Sequence, residues 1–216
     1  MSTTGKARGE RFFFFYALAL FAIVVTAFPL HALINGDELP PLLPHMHVHA
    51  VSMGLWFALM VLQTTLIARG NYGLHKTLGV SSLALVPIML GTGLYISWEN
   101  LLRTGDNTIL IANIANSAVF LVFYGAALLN RAKAALHKRF MLFAGLALMF
   151  PAFTRMTFIL QLDVILVLPM WLAFLLAVPV YDLISQRRIT AASLIAVGVN
   201  VLYIVGLALA TAPPPG

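Results

Sequence analysis

The sequence predicts an all-α membrane protein of seven transmembrane helices. Of its 216 residues, 61% are hydrophobic and only 9% are charged. A soluble domain carries about 25% charged residues, so this chain cannot clothe a water-exposed surface and the bilayer is its main solvent. The apolar residues also fall into runs of roughly 20, the length that spans a bilayer. Finally, the segments between the runs alternate in charge.

Met1–Glu10 is polar and basic. It resembles the leading segment of a signal peptide, but the apolar run that follows is longer than such a segment requires. We read an uncleaved first span over about 11–34. Asn35–Pro44 holds Gly36, Asp37, Glu38, Pro40, Pro41 and Pro44, which break helices. The second span covers about 45–68 and the third about 75–98, with Pro87 tolerated inside it because neighbouring helices satisfy the freed carbonyl. Glu99–Asn107 reads as a polar loop. The remaining spans cover about 108–130, 136–160 (with Pro151 and Arg155), 164–185 (with Pro169 and Pro179) and 189–210. The Pro-rich tail Thr211–Gly216 is too short to fold. The whole chain is read as a single helical domain.

The N-terminal segment and the even-numbered connections hold Lys6, Arg8, Arg11, Arg69, Lys76, Arg131, Lys133, Lys138, Arg139, Arg187 and Arg188. The odd-numbered connections hold Arg103 against Asp37, Glu38, Glu99, Asp106 and Asp163. The positive-inside rule then places the N-terminus in the cytoplasm and the C-terminus in the periplasm of a bacterial inner membrane. A reporter active only in an oxidising compartment is expected to work when fused after Gly216 and to fail after Arg188; the reverse would invert the orientation. The pI near 10 is thereby explained without nucleic acid. The expected partner is the lipid bilayer, within a homo-oligomer or a larger membrane complex.

The chain has no cysteine. This excludes disulfides, thiolate metal sites, iron–sulfur clusters and a cysteine nucleophile. Any metal must be held by imidazole, carboxylate, thioether or backbone. Only six histidines are present, and three of them are His45, His47 and His49. His45 and His49 stand one helical turn apart, a spacing that lets two imidazoles reach one ion. His47 joins them if Pro44 keeps the start of the span extended, and His31 lies at the same depth. An imidazole and carboxylate set suits Zn²⁺ or Cu²⁺.

Along the second span, His45, His49, Met53, Trp56, Met60 and Gln63 share one side. The stripe reads as a packing face or as the wall of a ligand cavity, and Gln63, Trp56 and His49 are expected to face protein rather than lipid. Arg155, inside an apolar run, reads as an interfacial anchor paired to Asp163 or as a contact for an anion or headgroup. Asn113, Asn116, Phe120 and Tyr124 share a side of the fourth span, and the seventh adds Asn200 and Tyr203. On this reading carboxylates are absent from the helix interiors, which argues against a proton pump.

A short internal repeat is visible. Leu74-His75-Lys76 opens the third span and Leu136-His137-Lys138 opens the fifth, each after a helix and a basic turn. Spans 2–3 and 4–5 then form two parallel copies. His75 and His137 lie at equal depth, and two such imidazoles suit the axial positions of a haem b. They also suit headgroup-level residues at helix starts.

The pattern His49, Gly54, Trp56, Gln63, then His75-Lys76-x-Leu78-Gly79, resembles an uncharacterised family of bacterial polytopic membrane proteins. So does His137-Lys138-Arg139-Phe140-Met141 with Pro151-Ala152 and Arg155. The resemblance covers spans two to five. It implies a multi-helix inner-membrane protein and brings no established activity. A looser similarity links the chain to the ascorbate-reducing transmembrane b-type cytochromes, whose two haems use histidine pairs on four successive helices. Here the fourth, sixth and seventh spans have no histidine, so that two-haem pattern is not met.

The leading functional expectation is a histidine-rich metal or cofactor site on the outer face, redox-linked if it holds copper or haem. One alternative is a small permease or lipid-interacting protein whose polar intramembrane cavity is the span-two stripe. The other is a non-catalytic accessory subunit or assembly factor. Whether the chain is an enzyme stays open at this stage.

Overall fold

A computed structural model describes residues 3–38 and 41–210, with side chains for 11–37 and 41–210. The tail after residue 210, the segment 39–40 and the Glu38 side chain lie outside the described residues. Eight α-helices follow in order: α1 (Thr3–Ile34), α2 (Pro44–Ala68), α3 (Tyr72–Thr104), α4 (Thr108–Leu129), α5 (Ala134–Ala147), α6 (Phe150–Ile159), α7 (Val167–Gln186) and α8 (Ala191–Ala210). Short 3₁₀ turns cover Gly36–Glu38 and Val164–Leu166. Six of the helices are long and apolar enough to cross a membrane. The bent pair α5–α6, taken as one span, brings the number to seven.

The chain is an all-α membrane protein, and the expected spans are recovered with two differences. The first is the break in the fifth span, where α5 and α6 meet at 51°. Pro151 has no N–H, and its ring displaces the carbonyl four residues back. The ladder accordingly tightens just before it: Leu148 N–H donates to Gly145 O and Met149 N–H to Leu146 O, each three residues back. Pro29, Pro87 and Pro179, by contrast, lie inside continuous helices.

The second difference is the length of α3. It begins at Tyr72, where the Asn71 side chain accepts the Leu74 N–H. It ends at Gly105, whose φ of +75° is the left-handed cap that glycine adopts without strain. Thirty-three residues at about 1.5 Å each exceed the hydrocarbon core of roughly 30 Å. The last turns therefore leave the apolar layer, and Glu99 belongs to a helix rather than to a loop. Beyond them, the Thr108 hydroxyl and then its N–H, which donates to Asp106 Oδ1 at 2.8 Å, hold the exposed Asp106 carboxyl below its ordinary pKa.

Two helices are central. α1 buries Phe13, Ala17, Leu20, Val24 and Ala27 at helical spacing and touches α2, α5, α6 and α7. α5 is buried almost continuously from Phe140 to Ala147, save Met141. At Gly145, α5 faces Leu20 of α1 and Met60 of α2. A Cβ there would stand 2.8 Å from Met60 Cε and 3.3 Å from Leu20 Cδ1. Gly145→Leu is expected to cost about 1–3 kcal/mol of stability by overpacking, read as a lowered unfolding midpoint in detergent.

Candidate cofactor site

The two LHK segments open α3 and α5 in the same way. His75 N–H donates to Asn71 O at 3.1 Å, and His137 N–H donates to Lys133 O at 3.0 Å. Asn71 and Lys133 are the respective N-caps, so each histidine is the fourth residue beyond its cap. The two rings meet across the helix pair, with centroids 6.3 Å apart and planes at 87°.

Their ring nitrogens have different surroundings. His137 Nδ1 lies 2.9 Å from Ala127 O. A carbonyl only accepts, so Nδ1 carries the proton, and in the neutral imidazole Nε2 is the lone-pair nitrogen. His75 lies against the backbone of Gln63 and within electrostatic range of Lys76. Its Nδ1 is buried without a hydrogen-bond partner, and both amide atoms of Gln63 are likewise buried and unpartnered. Buried polar atoms are normally satisfied. Unpaired polar groups of α2 and α3 thus lie beside the His137 imidazole.

The outer histidines diverge. Pro44 occupies the first turn of α2 behind the extended N-cap Leu43, so the segment is already helical at His45. His45 Nε2 contacts Glu99 Oε2 at 2.6 Å and its ring packs edge-on against Tyr95. His47, turned about 200° away along the helix, lines a groove of about 390 Å³ with Val51, Leu55 and Ile88. His49 Nδ1 reaches Met89 O at 3.1 Å and Thr92 Oγ1 at 3.2 Å, and its ring presses on Gly93, where a Cβ would stand 2.9 Å away. His31 bonds the Asn35 amide at 2.8 Å and lies near Phe158. Among the described residues no group of three or more His, Cys, Asp or Glu is placed to hold a metal. The expected set of His45, His47, His49 and His31 is not assembled, because helix phase separates two of its members and Glu99 takes a third.

The span-two stripe is largely packing. Trp56 is buried against Phe120 and Tyr124, while Tyr124 and Ser82 join at 2.7 Å. The amide of Asn113 donates to Ser97 Oγ at 2.5 Å, and Tyr203 donates to Asn116 Oδ1 at 2.5 Å. These asparagines tie α4 to α3 and to α8. The expected pairing of Arg155 with Asp163 is replaced by other contacts. Arg155 donates to Pro151 O at 3.0 Å and lies 4.3 Å over the Phe28 ring, whereas Asp163 accepts the Ile165 N–H.

One constellation was missed entirely in the sequence. Asp182 is fully buried on α7, which corrects the expectation that helix interiors lack carboxylates. Arg139 on α5 is 1% exposed and donates to Asp182 Oδ1 through Nε, at 2.9 Å, and through Nη2. Oδ2 accepts from Thr190 Oγ1 and Ser193 Oγ, each at 2.6 Å, and from Thr190 N–H at 3.2 Å. Arg139 also donates to Ala135 O. The pair is thus saturated with partners and ties α5, α7 and the start of α8 together. The signal was present: Asp182 is the one acidic residue between Val164 and Gln186. It stood close enough to the basic Arg187-Arg188 turn to pass for a surface charge.

No family model, curated protein or solved structure matches the chain.

Proposed function

We propose that this chain is an integral membrane protein that binds a metal-centred cofactor between His75 and His137, with haem b the group the pair suits best. The carrying observation is the meeting of the two imidazoles at 6.3 Å. Two imidazoles on opposite sides of one metal, each nitrogen at about 2.0–2.1 Å, place their rings roughly 6 Å apart.

The protein's own groups suit that role. His137 anchors its Nδ1 proton on Ala127 O, the outer-shell contact that fixes tautomer and ring orientation in metal-ligating histidines. The amide of Gln63 and Nδ1 of His75 are the unpaired groups nearest the pair. When bound, haem would supply one-electron transfer, and its potential would be set by the axial pair and the low-dielectric surroundings. The site lies at the basic end of the bundle, which the charge rule puts on the cytoplasmic side of a bacterial inner membrane. This reading moves the cofactor from the outer face to the inner one.

The test is titration of the full chain, purified in mild detergent, with ferric haem b, Cu²⁺ and Zn²⁺ separately. One equivalent of one of these is expected to bind tightly. Weak binding of all three, equal to that of His75→Ala, would overturn the reading.

A further inference from the structure

We propose that Arg155 forms a site for a phosphate-bearing anion at the acidic end of the bundle, opposite the histidine pair and independent of it. Arg155 lies on α6, four residues before that helix ends at Ile159, or about 6 Å of helix rise. It is half-buried. It contacts the Pro151 carbonyl and the face of Phe28, and the partly buried His49 imidazole lies within electrostatic range. Among the described residues no carboxylate pairs with it. The contrast with Arg139 is direct: that guanidinium, almost wholly buried, has Asp182 against two of its nitrogens.

An arginine within a membrane span is costly unless it is paired, hydrated or able to snorkel. A carbonyl and an aromatic ring each satisfy part of the guanidinium, but neither neutralises it. The planar fork still offers further N–H donors, in the geometry that suits a phosphate or carboxylate bidentately. Position favours phosphate. The residue sits about one turn inside the helix end, where phospholipid headgroups meet the protein. His49, whose Nδ1 is taken by Met89 O and Thr92, lies within electrostatic range of the same guanidinium. Phosphate reaches this place either on a lipid headgroup or as a free anion.

The experiment uses the full chain in a non-ionic detergent free of phosphate. Thermal unfolding is followed while three probes are titrated: phosphatidylglycerol, phosphatidylcholine of the same chain length, and inorganic phosphate. A ligand that binds only the folded state raises the midpoint in proportion to its occupancy. Arg155→Gln and Arg155→Lys are measured alongside. With no probe present, Arg155→Gln is expected to unfold at or above the wild-type midpoint, because it removes an uncompensated charge. Phosphatidylglycerol is expected to raise the wild-type midpoint, with at least a tenfold weaker half-effect in Arg155→Gln and partial retention in Arg155→Lys. That result assigns a headgroup. The same pattern with inorganic phosphate, and no advantage for the lipid, assigns a free anion. Identical responses of wild type and Arg155→Gln to every probe overturn the site. So does an Arg155→Gln protein that unfolds well below wild type without any probe, since the charge would then already be compensated within the chain.

Discussion

Asp182→Ala is expected to be the most damaging single polar substitution in the chain. It leaves Arg139 buried with its charge unpaired, and breaking one side of such a pair costs about 3–5 kcal/mol. Thr190 and Ser193 lose their shared acceptor at the same time. The cost is therefore largely that of an orphaned charge, and the pair itself need not be strongly stabilising. Removing both partners for apolar residues of similar size, Arg139→Met with Asp182→Leu, is expected to recover most of the loss. Ser193→Ala alone should cost about 1 kcal/mol, the net worth of one hydrogen bond. Reversible unfolding in mixed micelles measures all four proteins. A double variant as unstable as Asp182→Ala would show that the charges hold α5, α7 and α8 together by attraction rather than by mutual neutralisation.

The second large effect concerns the histidine pair. His75→Ala and His137→Ala are each expected to reduce cofactor affinity at least about 100-fold, beyond the 10–100-fold that loss of an outer-shell partner costs. The two effects should not add, because on the proposed reading both imidazoles would hold one cofactor and losing either would release it. Gln63→Met is expected to fall near the outer-shell range, and His31→Ala and His47→Ala to leave affinity unchanged. Equilibrium binding of the tightest probe compares the wild type with these five variants and with the His75→Ala/His137→Ala double variant. Full retention in either single variant would dissociate the ring contact from ligand binding.

Much of the fold was legible because hydrocarbon imposes its rules on sequence directly. The spans follow from apolar runs of bilayer length, and α2, α4 and α8 begin and end within two residues of the expected limits. Local chemistry decided the exceptions. A proline at 151 breaks its helix while one at 87 does not, and the difference lies in packing that the chain does not spell out. Glu99 read as a loop residue because it is polar and follows Trp98, yet α3 continues past it and delivers it to His45. Helix phase along α2, legible only once the span is known to be helical from His45, turns His47 away from its neighbours. His75 and His137 were legible as equivalents, because identical strings start two helices at one depth. Their meeting depended on how α3 and α5 approach each other, which no pattern along the chain records. Asp182 reads as a surface charge because Arg187-Arg188 follows it closely, and its partner Arg139 stands in a basic run of its own. Two charges 43 positions apart look like surface groups until the helices are side by side.

The most direct test of the bis-histidine site is the absorption spectrum and metal content of the chain as purified from membranes in mild detergent. The expected result is one metal per chain, with iron accompanied by the Soret band of a six-coordinate, low-spin haem, and loss of both in His137→Ala. A wild-type protein with no stoichiometric iron, copper or zinc and no Soret band, unchanged after incubation with haem b, would contradict it.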